Sequence, residues 1–261
     1  MELSLNGKRA VVCGSTQGIG KAAAMELADL GANISLVARD KARLKDVLKE
    51  LPKVKGQEHD ALVADFNFPE RLQSAMEKFT SRHAVHILVN NTGGPPAGPV
   101  FSASLDEFTK AFANHLLCNQ VLVQALVPGM KKEKYGRIIN IISTSVKVPI
   151  RGLGVSNTIR GAVANWSKTL AAELGPFGIT VNNVLPGASM TGRLETVIRD
   201  RSVKQKKSRD QVLEEMISEI PAGRISSPVE VGVVVAFLAT PAAGYINGIN
   251  LPVDGGRTGS L

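Results

Sequence analysis

Cysteine is nearly absent from this sequence: Cys13 and Cys118 are the only two in 261 residues. Two thiols so far apart make neither a disulfide framework nor a four-ligand zinc site, so no metal is expected. They suit a reducing compartment, and a cytoplasmic protein is the expectation. Aromatics amount to only 4%, with one Trp and two Tyr. That argues against a stacking platform for single-stranded nucleic acid. No apolar run approaches the roughly 18 residues of a membrane span. Met1 to Lys8 lacks the charged start and apolar core of a signal peptide. There is no internal repeat, and no linker rich in Gly, Ser or Pro divides the chain. One domain over residues 1–261 is expected, with neither a membrane nor a nucleic acid as partner.

What is present is ordinary for a globular protein: 44% hydrophobic residues, 21% charged residues and 25 glycines. A chain of this length can bury a self-sufficient core. The net charge of +8 favours anionic partners such as phosphorylated cofactors, acyl thioesters or acidic carrier proteins, or serves only solubility.

Strand-like and helix-like segments alternate from the start. Strands are expected at Arg9–Cys13, Asn33–Ala38, Ala61–Ala64, His86–Asn90, Arg137–Ile142, Ile179–Leu185 and Ile249–Val253. Helical spacing fills Gly18–Leu30, Lys41–Leu51, Glu70–Arg82, Leu153–Leu174 and Val229–Leu238. Leu105–Lys132 reads as one long helix that Pro128 ends or kinks. Short apolar runs between amphipathic helices indicate βαβ units and a parallel sheet.

The first strand runs into Gly14-Ser15-Thr16-Gln17-Gly18-Ile19-Gly20. Glycine allows a tight turn and close approach to a phosphate. The helix that follows aims free N–H groups and a positive dipole end at the same place. Between the first strand and first helix of an alternating chain, such a loop points to a dinucleotide site.

With this loop, four further elements resemble the short-chain dehydrogenase/reductase family along essentially the whole chain. Asn90-Asn91-Thr92-Gly93 resembles its Asn-Asn-Ala-Gly element. Gly136 to Ser143 resembles the strand that delivers its catalytic serine. Asn182 to Gly187 resembles its Pro-Gly turn, and Val253-Asp254-Gly255-Gly256 its C-terminal signature. The resemblance implies a Rossmann-type doubly wound α/β fold with a seven-stranded parallel sheet. It also implies a nicotinamide cofactor at Gly14–Gly20, Asp65, Phe66, Asn91, Thr92, Gly93, Pro186, Gly187, Ser189 and Thr191. Where NAD-preferring relatives carry an acid, this chain has Ala38 followed by Arg39. Arginine grips phosphate with two donors, so NADP(H) is expected over NAD(H) unless Arg39 is only a loop charge.

The family's catalytic set is a Ser, a Tyr-x-x-x-Lys pair and an Asn. Ser143 fits the serine. Counting onward without a gap, the tyrosine falls on Ser156 and the lysine on Arg160, which would also reach the cofactor. Counting back, the asparagine falls on His115, with Asn114 just before it. Tyr135 and Tyr245 read as structural. A serine hydroxyl is a far weaker acid than a phenol, and Arg160 keeps its proton. His115 and Lys147 are the candidate proton donors, each with a plainly structural alternative.

The resemblance implies an NADP(H)-dependent oxidoreductase acting on a carbonyl or alcohol: a 3-oxoacyl thioester, a small ketone or a sugar. The alternative is a catalytically attenuated NADP-binding protein used for sensing or scaffolding. Arg199–Asp210 holds six basic and two acidic residues. It reads as a solvated surface helix or as part of a mobile lid around 190–220. Family members commonly self-associate, so a dimer or tetramer is expected.

Overall fold

The short apolar runs become seven parallel strands, each within a residue of its expected limits. They are β1 (Arg9–Cys13), β2 (Asn33–Ala38), β3 (Asp60–Val63), β4 (Ile87–Asn90), β5 (Gly136–Ile141), β6 (Ile179–Pro186) and β7 (Asn250–Val253). This is a computed structural model that describes residues 1–260; Leu261, the last residue of the expected domain, lies outside the described residues. The strand order is β3-β2-β1-β4-β5-β6-β7. The order therefore reverses between β1 and β4, which opens a crevice at the carboxyl ends of those strands. The central strands β4 and β5 are buried along their whole length, which is why they read as continuous apolar runs. Edge strand β3 alternates between partly buried and exposed residues.

Helices α1 (Gly18–Asp29), α2 (Lys41–Glu50) and α9 (Pro228–Ala239) share one buried cluster with the sheet. Helices α3 (Pro69–Thr80), α5 (Cys118–Glu133) and α6 (Gly154–Leu174) share another. Small residues let α1 and α9 approach closely. A Cβ on Gly232 would stand 2.9 Å from the Ala22 carbonyl carbon. Among the described residues no helix is long and apolar enough to cross a membrane.

Two expectations change. The single helix over Leu105–Lys132 is divided into α4 (Leu105–Phe112), a π turn (Ala113–Leu117) and α5. Pro128 neither ends α5 nor interrupts its assignment. Pro128 and Gln124, whose carbonyl loses its usual partner, are both exposed, so solvent can satisfy that carbonyl. The basic run Arg199–Asp210 is not one helix but the end of α7 (Gly192–Gln205), a turn, and the start of α8 (Arg209–Ser218). Lys206 takes a left-handed conformation at φ 54° where α7 stops.

Candidate functional site

The crevice at the strand ends is a cleft of about 620 Å³. Its floor is the glycine loop. Gly14 (φ 59°) and Gly18 (φ 55°) have the positive angles that favour glycine. Gly20 allows the loop to close on itself: a Cβ there would stand 2.2 Å from the Gly14 carbonyl oxygen. No side chain caps α1, because Gln17 is extended and makes no capping bond. The first-turn N–H groups are thus left for a ligand beside the cleft.

Most residues expected at the nucleotide line this one cleft: Gly14, Thr16, Gln17, Gly18, Ile19, Arg39, Asp65, Phe66, Asn91, Thr92, Gly93, Pro186, Gly187, Ser189, Thr191 and Arg160. Ser15 and Gly20 do not. Ser15 is fully buried and donates to the Val37 carbonyl at 3.4 Å, while Gly20 sits behind Gly14. Their side of the loop holds its shape. Asn91 joins the two halves of the crevice by donating to the Cys13 and Gly14 carbonyls at 3.3 and 3.2 Å. Thr191 caps α7 by accepting from the Leu194 amide. These features fit a dinucleotide: an uncapped helix start under positive-φ glycines, one arginine at the end of β2, and Asp65 at the end of β3.

Ser143, Ser156 and Arg160 line the other end of the cleft. The turn after β5 orients Ser143: its Oγ accepts the Ser145 amide at 3.1 Å. The hydroxyl proton is therefore free to donate into the cleft. Arg160 is only 8% exposed, and its Nη1 donates to the Ile141 carbonyl at 3.0 Å. Burial, with the charge of Arg193 as a second cause, lowers its pKa to about 10, so it is a cation at neutral pH.

His115 departs from expectation. It is 3% exposed, does not line the cleft, and its Nδ1 lies 2.5 Å from the Thr92 hydroxyl. Burial first, and then the Arg160 charge, push its pKa down to about 3. It is neutral at neutral pH, so no imidazolium is there to act as a proton donor. Asn114 faces the cleft instead, donating to Asn67 at 3.2 Å. The π turn carries more residues per turn than an α-helix, so regular helical spacing does not show which of its residues faces the cleft. Lys147 is not among the lining residues. Tyr135 donates to the Ala239 carbonyl at 2.6 Å and Tyr245 is fully exposed, so neither reaches the cleft.

Sequence reasoning missed Arg193, Val197 and Arg201 of α7 and Met216 of α8, all of which line the cleft. The spacing of Arg193, Val197 and Arg201 by four residues was the available signal, because it places them on one helix face. Both cysteines are buried and free; burial raises the Cys13 pKa and pushes Cys118 up to about 12. Among the described residues no group of three or more His, Cys, Asp or Glu could hold a metal.

The family model described as enoyl-(acyl carrier protein) reductase matches residues 14–258. A chloroplastic tropinone reductase homolog of Arabidopsis thaliana is 33% identical over 257 residues, covering 98% of this chain and 77% of that protein. The 3-oxoacyl-[acyl-carrier-protein] reductase of Vibrio cholerae is 30% identical over 97% of this chain and 98% of its own length. The structure of L-sorbose reductase from Gluconobacter frateurii, complexed with NADPH and L-sorbose, superposes with a TM-score of 0.93 at 30% identity over all of both chains.

Proposed function

Because this chain belongs to the short-chain dehydrogenase/reductase family of NAD(P)-dependent oxidoreductases, we propose that it interconverts a carbonyl and an alcohol with NADP(H), using an unusual catalytic set. The observation that carries this reading is the single cleft that joins the nucleotide-binding residues to Ser143, Ser156 and Arg160. Arg39, in place of an acid after β2, supports NADP(H) over NAD(H). A bound nicotinamide supplies or accepts the hydride at the carbonyl carbon.

The chain's own residues do the rest. The glycine loop and α1 hold the phosphates. Ser143 donates a hydrogen bond to the carbonyl oxygen while keeping its proton, and Ser156 adds a second hydroxyl in the place of the family's tyrosine. Arg160 holds cofactor hydroxyls or an anionic part of the substrate, but keeps its proton. Reduction then needs a proton from water at the carbonyl oxygen, since His115 is not an imidazolium. Helices α7 and α8 form the lid over the substrate end. A 3-oxoacyl thioester is the first substrate to try, and the Vibrio relative's name supports that choice. The buried free thiols suit the reducing conditions of the cytoplasm.

A specific observation favours a second reading: no tyrosine lines the cleft. It is an attenuated NADP-binding protein used for sensing or scaffolding. Oxidation of NADPH and of NADH with acetoacetyl-coenzyme A separates the two. Turnover by the native protein, faster with NADPH, is the expected result. Turnover only after the double substitution Ser156→Tyr, Arg160→Lys would move the assignment to the binding protein.

A further inference from the structure

We propose that the substrate end of the cleft is a carboxylate site, in which Arg160, Arg193 and Arg201 hold the anionic end of a substrate with an apolar body. This rests on the reductase reading for the reacting carbonyl, but not for the carboxylate. Five arginines line the cleft (Arg39, Arg160, Arg193, Arg201 and Arg257) against one acid, Asp65. Arg39 and Asp65 follow β2 and β3 at the nucleotide end. Arg257 is neutralised by Glu219. The other three have no carboxylate within ion-pair distance among the described residues. Arg193 Nη2 donates to the Pro95 carbonyl at 3.0 Å, and Arg160 Nη1 to that of Ile141, also at 3.0 Å. Those partners are dipoles, not charges.

Helix α7 sorts its charges by face. Outward-facing Glu195 pairs with Arg209 at 2.7 Å, and Arg199 lies 3.9 Å from Asp200. Arg193 and Arg201, two turns apart on the cleft face, are left without such partners. Of the three, Arg160 is buried, Arg201 partly buried and Arg193 exposed; a buried guanidinium near the charge of Arg193 is stabilised by an anion with oxygens to accept its remaining N–H groups. The phosphates of a dinucleotide have α1 and Arg39. Leu194, Val197 and Met216 add apolar surface to the same cleft. A carboxylate on a hydrocarbon body satisfies both the forks and the apolar surface.

The test is calorimetric titration of the NADP⁺-saturated protein with octanoate, octanamide and octyl phosphate. Octanoate is expected to bind about tenfold or more tighter than octanamide, the usual scale for a hydrogen bond to a charged group. Arg201→Gln should remove most of that preference, and Arg201→Lys should restore part of it. Equal affinity for octanoate and octanamide would overturn the proposal, as would a preference confined to octyl phosphate. Binding is read without turnover. A carboxylate preference with no NADPH oxidation by 3-oxooctanoate would therefore support this site while counting against the reductase reading.

Discussion

His115 shows how a single residue can fit a sequence pattern and have the wrong chemistry. Its position in the chain suggested a group titrating near neutral pH. Its surroundings exclude that, because an imidazolium there would be desolvated and close to the Arg160 guanidinium. The consequence for stability has a definite sign. The unfolded chain protonates this histidine near its ordinary value of 6.5, whereas the folded chain does so near about 3. The unfolded state thus binds more protons between those values, and stability falls with falling pH there. Above the upper value the contribution is fully present; below the lower one no further loss occurs. His59 and His86 are also shifted down, so the acid loss is not due to His115 alone. His115→Asn, which keeps a polar atom near Thr92, isolates its share. The melting temperature of the variant should fall less between neutral pH and pH about 4 than that of the native protein. Parallel curves would show that His115 is not held neutral. The glycines, by contrast, were legible, because a positive φ leaves a compositional trace. The π turn leaves none, and so the sequence did not show that Asn114, next to the counted position His115, is the residue that faces the cleft.

Sequence and structure part most clearly at the level of the elements, in a row of asparagines, three of them buried. Asn90, Asn140, Asn183 and Asn250 stand opposite one another on β4, β5, β6 and β7. Their side chains link across the strands: Asn90 to Asn140 at 2.8 Å, Asn140 to Asn183 at 2.9 Å, and Asn183 to Asn250 at 2.8 Å. Each asparagine is visible in the sequence, but the ladder exists only in the register, which strand patterns do not specify. The strands themselves were legible because parallel strands buried on both faces are apolar runs. The boundary between α7 and α8 was not, since a basic segment carries no period that separates two helices. The ladder fixes the sheet beneath the turn that carries Ser143, with Asn140 three residues before it. Asn140 also donates to Ser167 at 3.2 Å. Asn140→Ala would strip its neighbours of partners in a site without water access, at a cost of about 3 kcal/mol. The midpoint of urea unfolding should fall while the slope stays constant. An unchanged midpoint would mean that the ladder adds nothing beyond the backbone bonds.

At the scale of the molecule, large apolar side chains in and around α4 stand exposed. Phe101 is 100% exposed and Leu105 85% exposed, and Phe112 and Leu117 continue the exposed series into the π turn. Leu105 and Phe112 lie seven residues apart, on one face of α4. Large apolar side chains exposed close together in the chain point to a site of association. A second copy of the chain is the proposed occupant, in line with the dimer or tetramer that the family resemblance implies. A symmetric contact would place the same helices face to face. It would also bear on the site, because the π turn carries Asn114 at the cleft and His115 behind Thr92. Sedimentation velocity of the native protein should show a dimer or tetramer. Leu105→Glu with Phe112→Glu should shift it to a smaller species and weaken NADPH binding, since the wall that carries Asn114 would lose its support. A native monomer at micromolar concentration would sink the assignment. A variant that dissociates but binds NADPH as before would confine the interface to assembly and detach it from the cleft.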